Sequence, residues 1–307
     1  MEQMSHTVKM PPSVCGLALG FATLGNLLAP YGAILKYVCG CAAFIIIAVF
    51  TAKVFTDLNG CKKEFDNPIA LSILPTYAMT LILLAAFVQP AIPGIALYVW
   101  MLGVLLHSAI FAVFMIRSVR AFALASVFPS WFIPAVGIVA MSITAPAFEM
   151  RVFGQAIFYI GFTLYWIVLI LVLSRLLKVR ILPEPALPTF AIFAAPMSMC
   201  LVGYLSCFEQ HSLPFVLFML AISGVSYLAV LLMLAMKLLW LKFYPTFAAF
   251  TFPLVISASA FIMAGSFLMS NGIDVPAFVS VVPLAVAVVL VAYVFVRYCQ
   301  LWLAEAR

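Results

Sequence analysis

Ten stretches of about 20 residues, each nearly free of charge, follow one another through this chain and limit its fold more than any other feature. A run of that length, coiled as an α-helix, spans the hydrocarbon core of a bilayer. In lipid every backbone N–H and C=O must pair within the protein, which leaves helices or a closed barrel. A barrel strand would alternate apolar and polar residues over roughly ten positions. These runs are continuously apolar instead. Of the 307 residues only 8% are charged and 67% are hydrophobic, whereas a soluble domain carries about 25% charged residues. Mean hydropathy is +1.28. A soluble enzyme, a nucleic-acid binder and a disordered chain are all excluded. The expected fold class is an all-α membrane protein with ten transmembrane helices.

The spans read as Pro12–Leu28, Ala33–Val54, Pro68–Val88, Ile92–Ile116, Pro129–Phe148, Val152–Leu176, Leu187–Leu205, Pro214–Met236, Phe247–Met269 and Val275–Leu303. The longest polar break, near Phe55 to Asn67, is too short for a soluble domain. The chain therefore divides into a lead-in over 1–11, one membrane domain over 12–304, and an end segment over 305–307. An even number of spans puts both termini on one face. Lys9, Lys53, Lys62, Lys63, Arg117, Arg120, Arg175, Lys178, Arg180, Lys237, Lys242, Arg297 and Arg307 fall on that face, and only Lys36 and Arg151 on the other. The positive-inside rule makes it the cytoplasmic face. The expected location is the plasma membrane, a bacterial inner membrane, crossed many times.

Odd and even spans differ in composition. Spans three, five, seven and nine hold Pro75, Pro134, Pro196 and Pro253, at spacings of 59, 62 and 57 residues. Counting 57 back from Pro75 reaches Ala18, inside Gly16-Leu17-Ala18-Leu19-Gly20. The odd spans are also rich in small and hydroxyl residues, among them Thr23, Gly137, Ser142, Ser198, Ser257 and Ser259. Small residues let helices approach closely, and proline removes a backbone hydrogen bond. The pattern predicts five helical hairpins in parallel repeat, with bent inner helices around a central pore. Inverted repeats, found in many alternating-access carriers, are not the pattern here. Membrane helices do carry Pro and Gly without function. Four prolines at near-equal spacing in alternate spans argue for a built repeat.

Charge is also missing where coupled transport would need it. Glu2, Asp57, Glu64, Asp66, Glu149, Glu184, Glu209, Asp274 and Glu305 all lie in loops or at span ends. Ionisable groups inside the membrane mark ion and proton pathways, and His107 is the one such group in mid-span. A lone imidazole there reads as a hydrogen-bonded packing residue. No paired-acid, zinc or phosphate-loop motif is present, and no C-x-x-C joins the seven cysteines. No enzyme activity, metal or cofactor is expected. Basic residues at a pore mouth concentrate anions, although the same residues suffice to set topology.

Three segments carry a family resemblance. Pro129-Ser130-Trp131-Phe132-Ile133-Pro134-Ala135-Val136-Gly137 resembles the fifth-helix motif of the tellurite-resistance/dicarboxylate transporter family, which includes bacterial TehA and the plant slow anion channels. Ala249-Phe250-Thr251-Phe252-Pro253 is similar to its ninth-helix motif, and Gly16-Leu17-Ala18-Leu19-Gly20 to its first helix. The resemblance implies five hairpins around a pore, a homotrimer with one pore per protomer, and Phe252 as a plug. Gly16, Ala18, Gly20, Pro75, Pro134, Pro196 and Pro253 would shape the path. Relatives can carry proline where this chain has Ala18, which leaves the bend of the first helix open. Long cytosolic tails are missing, so kinase gating is not expected. A bottom-up reason also favours Phe252: a residue before proline has restricted backbone freedom, which would hold its ring in place. The expected function is a channel for small monovalent anions such as chloride or nitrate. A carrier or exporter of dicarboxylate, sulfite or tellurite-like oxyanions on the same fold is the alternative.

Overall fold

The computed structural model describes residues 10–179 and 182–305. Lys9, Arg180 and Arg307 of the orientation argument, and residues 1–9 and 306–307 of the two end segments, lie outside the described residues. Those described are mostly helical, with no strand among them. The elements are α1 (Val14–Leu28), α2 (Ala33–Thr56), α3 (Leu58–Phe65), α4 (Pro68–Ile73), α5 (Pro75–Val88), α6 (Pro93–Arg120) and α7 (Phe132–Val136). Then follow α8 (Val139–Thr144), α9 (Arg151–Lys178), α10 (Ala195–Cys207), α11 (Leu213–Met236), α12 (Phe252–Ser270) and α13 (Phe278–Glu305). Among the described residues, nine helical stretches are long and apolar enough to cross a membrane, or ten if the bent pair in residues 129–148 is one span.

The even spans are the unbroken helices α2, α6, α9, α11 and α13, of 24 to 28 residues each. Four of the five odd spans are composite. Each enters through a short helix or a 3₁₀ segment and continues as an α-helix that starts close to the repeat proline. Pro75 is the first residue of α5, and Pro196 and Pro253 are the second residues of α10 and α12. Pro134 is the third residue of α7. Proline is tolerated in the first turn because that N–H has no intrahelical partner anyway. The expected mid-helix bend is therefore a handover between two helical segments. The open question at Ala18 resolves the same way: without proline, α1 runs unbroken from Val14 to Leu28.

Span five breaks a second time, by 45°, between Val136 and Val139. Beyond the break the backbone pairs three residues apart, Ala140 N–H to Gly137 O at 3.0 Å and Met141 N–H to Ile138 O at 2.9 Å. His107 of α6, fully buried, lies 3.3 Å through Nε2 from Pro134 O. A carbonyl only accepts, so Nε2 carries the proton and the imidazole satisfies a carbonyl at the break. That matches the packing role read from the sequence. His107→Leu should lower stability by about 1–3 kcal/mol, the cost of a buried carbonyl losing its donor. His107→Gln, which keeps an N–H, should lose less. Thermal unfolding in detergent reads the difference.

The odd helices bury themselves against one another. In the most apolar stretch of spans one, three, seven and nine, 61–78% of residues are buried, against 22–33% for the even spans. α1 packs on α5, α5 on α8, α8 on α10, α10 on α12, and α12 returns to α1. Those contacts close a cycle. Outside it, α2 packs on α1, α6 on α5, α9 on α8, α11 on α10 and α13 on α12. The outer helices turn large apolar side chains outward, such as Ile34, Tyr98, Ile170, Val225 and Val289. In water that surface would aggregate, and in lipid it is at home.

Small and hydroxyl residues form the seams of the cycle. Thr80 Oγ1 donates to Cys15 O (3.4 Å) between α5 and α1, and Ser72 Oγ to Ser130 Oγ (2.6 Å) between spans three and five. Ser257 Oγ donates to Ala194 O (2.8 Å), and Thr251 Oγ1 to Gly16 O (3.0 Å). Between α8 and α10, Gly203 lies against Val139, where a Cβ would come within 2.7 Å of Val139 Cγ1. Such close contacts and interhelical hydrogen bonds hold helices together in lipid, where apolar burial gives little drive. One element was not anticipated: α3 occupies the polar break, opened by Asp57, whose Oδ1 accepts from Gly60 N–H at 2.9 Å.

Candidate functional site

Inside the cycle lie two cavities, one towards each end of the odd spans. The first, of about 50 Å³, is lined from the entry halves by Gly16, Leu19, Ile73, Thr76, Phe132, Ile133, Val136, Ile192, Pro196, Ala249, Phe252 and Pro253, among others. The second, of about 290 Å³, is lined from the exit halves by Thr23, Asn26, Leu83, Ala140, Val202, Ser206, Ile256, Ser259 and Met263, again with Phe252. All five odd spans contribute to both. Phe252 and Met199 line both cavities and so lie where the two come together.

The backbone explains why Phe252 stays there. It is the first residue of α12, and Thr251 before it has φ −93° and ψ −88°, outside the helical and extended regions. Thr251 Oγ1 donates to Gly16 O (3.0 Å) and Ala248 O (2.7 Å), which ties the turn to α1. Pro253 follows and restricts Phe252 further. The ring is buried, with 7% of the residue exposed.

Not every residue singled out from the sequence reaches the cavities. Gly16, Pro196, Pro253 and Phe252 line them. Ala18 is fully buried on another face of α1, packed with residues such as Val14 and Cys15. Gly20 faces Thr251, and Pro75 and Pro134 are buried away from the cavities' walls. Ser198 and Ser257 are fully buried at a seam, their hydroxyls 3.1 Å apart. The sequence reading missed Leu19, Ile73, Thr76, Met79, Phe132, Ile133, Val136 and Met199 as lining residues. A signal was present: lining positions recur three or four residues apart, as in 249, 252, 256, 259 and 263, or 192, 196, 199, 202 and 206. That is one face of a helix.

The lining carries no charge. Three of its hydroxyls bond within their own spans: Thr76 Oγ1 donates to Ile73 O (2.8 Å), Thr23 Oγ1 to Leu19 O (2.8 Å) and Ser259 Oγ to Val255 O (3.1 Å), whereas Ser13 Oγ shares a hydrogen bond with Tyr298 Oη (3.0 Å). At the entry end, Thr246 of the first cavity donates to Pro185 O (2.6 Å), and neighbouring Tyr244 donates to Glu184 Oε1 (2.8 Å). A hydrogen bond with Tyr244 holds Lys242 above the ordinary lysine range. No group of three or more metal-ligating side chains occurs among the described residues.

The two cavities are thus lined by apolar and uncharged polar side chains, with Phe252 and Met199 bordering both. They hold no catalytic constellation. Comparison with curated proteins finds no match. The family model described as SLAC1, voltage-dependent anion channel, matches residues 9–299, nearly the whole chain. That agrees with the resemblance carried by the fifth-helix and ninth-helix motifs. The chain therefore belongs to the SLAC1 voltage-dependent anion channel family, whose members are channels and transporters of anions rather than enzymes.

Proposed function

We propose that this protein is a passive channel for small monovalent anions such as chloride and nitrate, closed at rest by Phe252. Five hairpins in parallel repeat surround the path, with Gly16, Pro196 and Pro253 on its wall. Pro75 and Pro134 shape it indirectly by starting helical segments, and Ala18 and Gly20 by packing the first helix. The observation that carries this reading is the position of Phe252 as a shared wall of two cavities inside a closed cycle of helices. A phenyl ring offers an anion no hydrogen bond, and stripping water from an ion costs several kcal/mol even after relaxation. The family supports anion transport in general.

Selectivity follows from the same lining. Few free donors and no fixed charge mean that a crossing anion is poorly compensated for its lost water. Weakly hydrated anions should pass most easily, nitrate before chloride. Cations are disfavoured by the basic residues at the entry face, which we place in the cytoplasm together with both termini. We further propose a homotrimer in the plasma membrane with one path per protomer. A carrier of larger oxyanions on the same fold is the second reading, supported by transporters within the family.

Reversal potentials test the selectivity. In planar bilayers under a potassium chloride gradient, the current should reverse near the chloride equilibrium potential. Replacing chloride by nitrate on one side should shift it in favour of nitrate. Equal permeability to sodium and chloride would refute the anion reading. Saturable flux with no unitary conductance would favour the carrier.

A further inference from the structure

A third cavity lies outside the cycle of helices. It measures about 430 Å³, larger than either cavity inside, and opens where α6 ends. Its floor is apolar, made by the buried Leu71, Phe114 and Trp131, with Pro68 exposed at its edge. Its rim is polar. Arg117 and Arg120 sit three apart in the last turn of α6, on one face of that helix. Ser118, Ser126 and Asp66 complete the rim.

The charges there are only partly engaged. Arg117 Nη1 donates to Phe65 O (3.1 Å) and to Asp66 Oδ1 (3.3 Å), an exposed pair of little strength. Arg120 is exposed and has no hydrogen bond or ion pair among the described residues. Trp131 is 7% exposed, and its buried Nε1–H has no acceptor among the described residues. Arginine in the last turn complements the helix dipole. That ordinary role accounts for the two guanidinium groups. It accounts for neither the apolar floor beneath them nor the unpartnered indole N–H beside it.

We propose that this cleft binds the phosphate group of an anionic membrane phospholipid. The two guanidinium groups take the phosphate oxygens, in keeping with the fit of arginine to phosphate. The apolar floor takes the glycerol and the first acyl carbons. Two observations favour a lipid over a free phosphate ion. The cleft is much larger than a lone oxyanion requires, and it lies at the end of a membrane span, where headgroups are. Basic pockets between helix ends are known to hold anionic headgroups. Asp66 opposes the ligand and competes with it for Arg117.

Native mass spectrometry of the full-length protein in detergent tests this, with dioctanoyl phosphatidylglycerol, dioctanoyl phosphatidylcholine and inorganic phosphate as probes. Phosphatidylglycerol should bind more tightly than phosphatidylcholine. Arg120→Gln should weaken it about fivefold, the usual effect of one basic residue near an anionic headgroup. Asp66→Asn should strengthen it, a gain that a loss of folding would not produce. Equal binding of the two lipids, or no response to either substitution, would overturn the site. Inorganic phosphate displacing the lipid at equal concentration would overturn the assignment to a phospholipid.

Discussion

Replacing Phe252 with alanine is expected to raise anion current by roughly a hundredfold, because it removes a barrier of a few kcal/mol where each 1.4 kcal/mol is worth about tenfold. Phe252 borders cavities of about 50 and 290 Å³, and deleting its ring is expected to join them. Met199 also lines both. Its unbranched side chain is flexible and can move aside, whereas Phe252 is held by the Thr251 turn and by Pro253. Met199→Ala should therefore give a much smaller increase, and Phe252→Leu a value between wild type and alanine. Recording in oocytes, with surface expression measured in parallel, checks the order. No increase for Phe252→Ala at normal expression would refute the gate. The stability cost stays modest, because the lost ring borders existing space and does not leave a sealed void.

The site was legible in the sequence where a residue's chemistry forces its place. Proline interrupts a helix wherever it stands, so the spacing of 57 to 62 residues marked the inner helices, although not that each proline would open a new helical segment. The contrast between small, hydroxyl-rich odd spans and long aliphatic even spans foretold which helices would be buried. Rotation about each inner helix was not legible. In a membrane protein the lining is as apolar as the packed faces, so no amphipathic pattern marks the inner side. The 3₁₀ entries add a second obstacle. Residues 184–194 form one such segment of 11 residues. A 3₁₀-helix turns 120° per residue against 100° in an α-helix, so counting across it shifts the phase by about 220°. Ile192 lies inside that segment and Met199 on α10 beyond it, and neither was picked out, whereas Pro196 was found by its chemistry. The richness of the odd spans in hydroxyl residues does not tell seam from cavity: Ser198 and Ser257 serve a seam, and Ser259 lines a cavity.

Gly20→Ala is expected to cost about 1–3 kcal/mol of stability, the range for overpacking a tight contact, while Gly16→Ala is expected to be tolerated. The two glycines lie four apart on one face of α1, both against the entry to α12. A Cβ at Gly16 would meet Ala248 Cβ at 3.5 Å, an ordinary contact. A Cβ at Gly20 would lie 2.6 Å from Thr251 Cβ, 2.7 Å from its Oγ1 and 3.2 Å from Phe252 N. Carbon atoms pack best about 3.5–4.0 Å apart. Thr251 has no room to yield. It is branched at Cβ, and its hydroxyl holds both Gly16 O and Ala248 O. Its single proton is shared between those two carbonyls, and turning it away would leave both without this donor in a buried site. Alanine at position 20 must therefore push α1 from α12 or displace the turn that carries Phe252. Melting temperatures in detergent separate the two glycines: Gly20→Ala should melt well below wild type, and Gly16→Ala close to it. Where the Gly20 variant stays folded, displacement of Phe252 should show as anion leak without any change to the ring itself. Equal melting of both variants and wild type would mean that the contact between α1 and Thr251 is looser than 2.6 Å implies, and that the turn alone holds the phenyl ring.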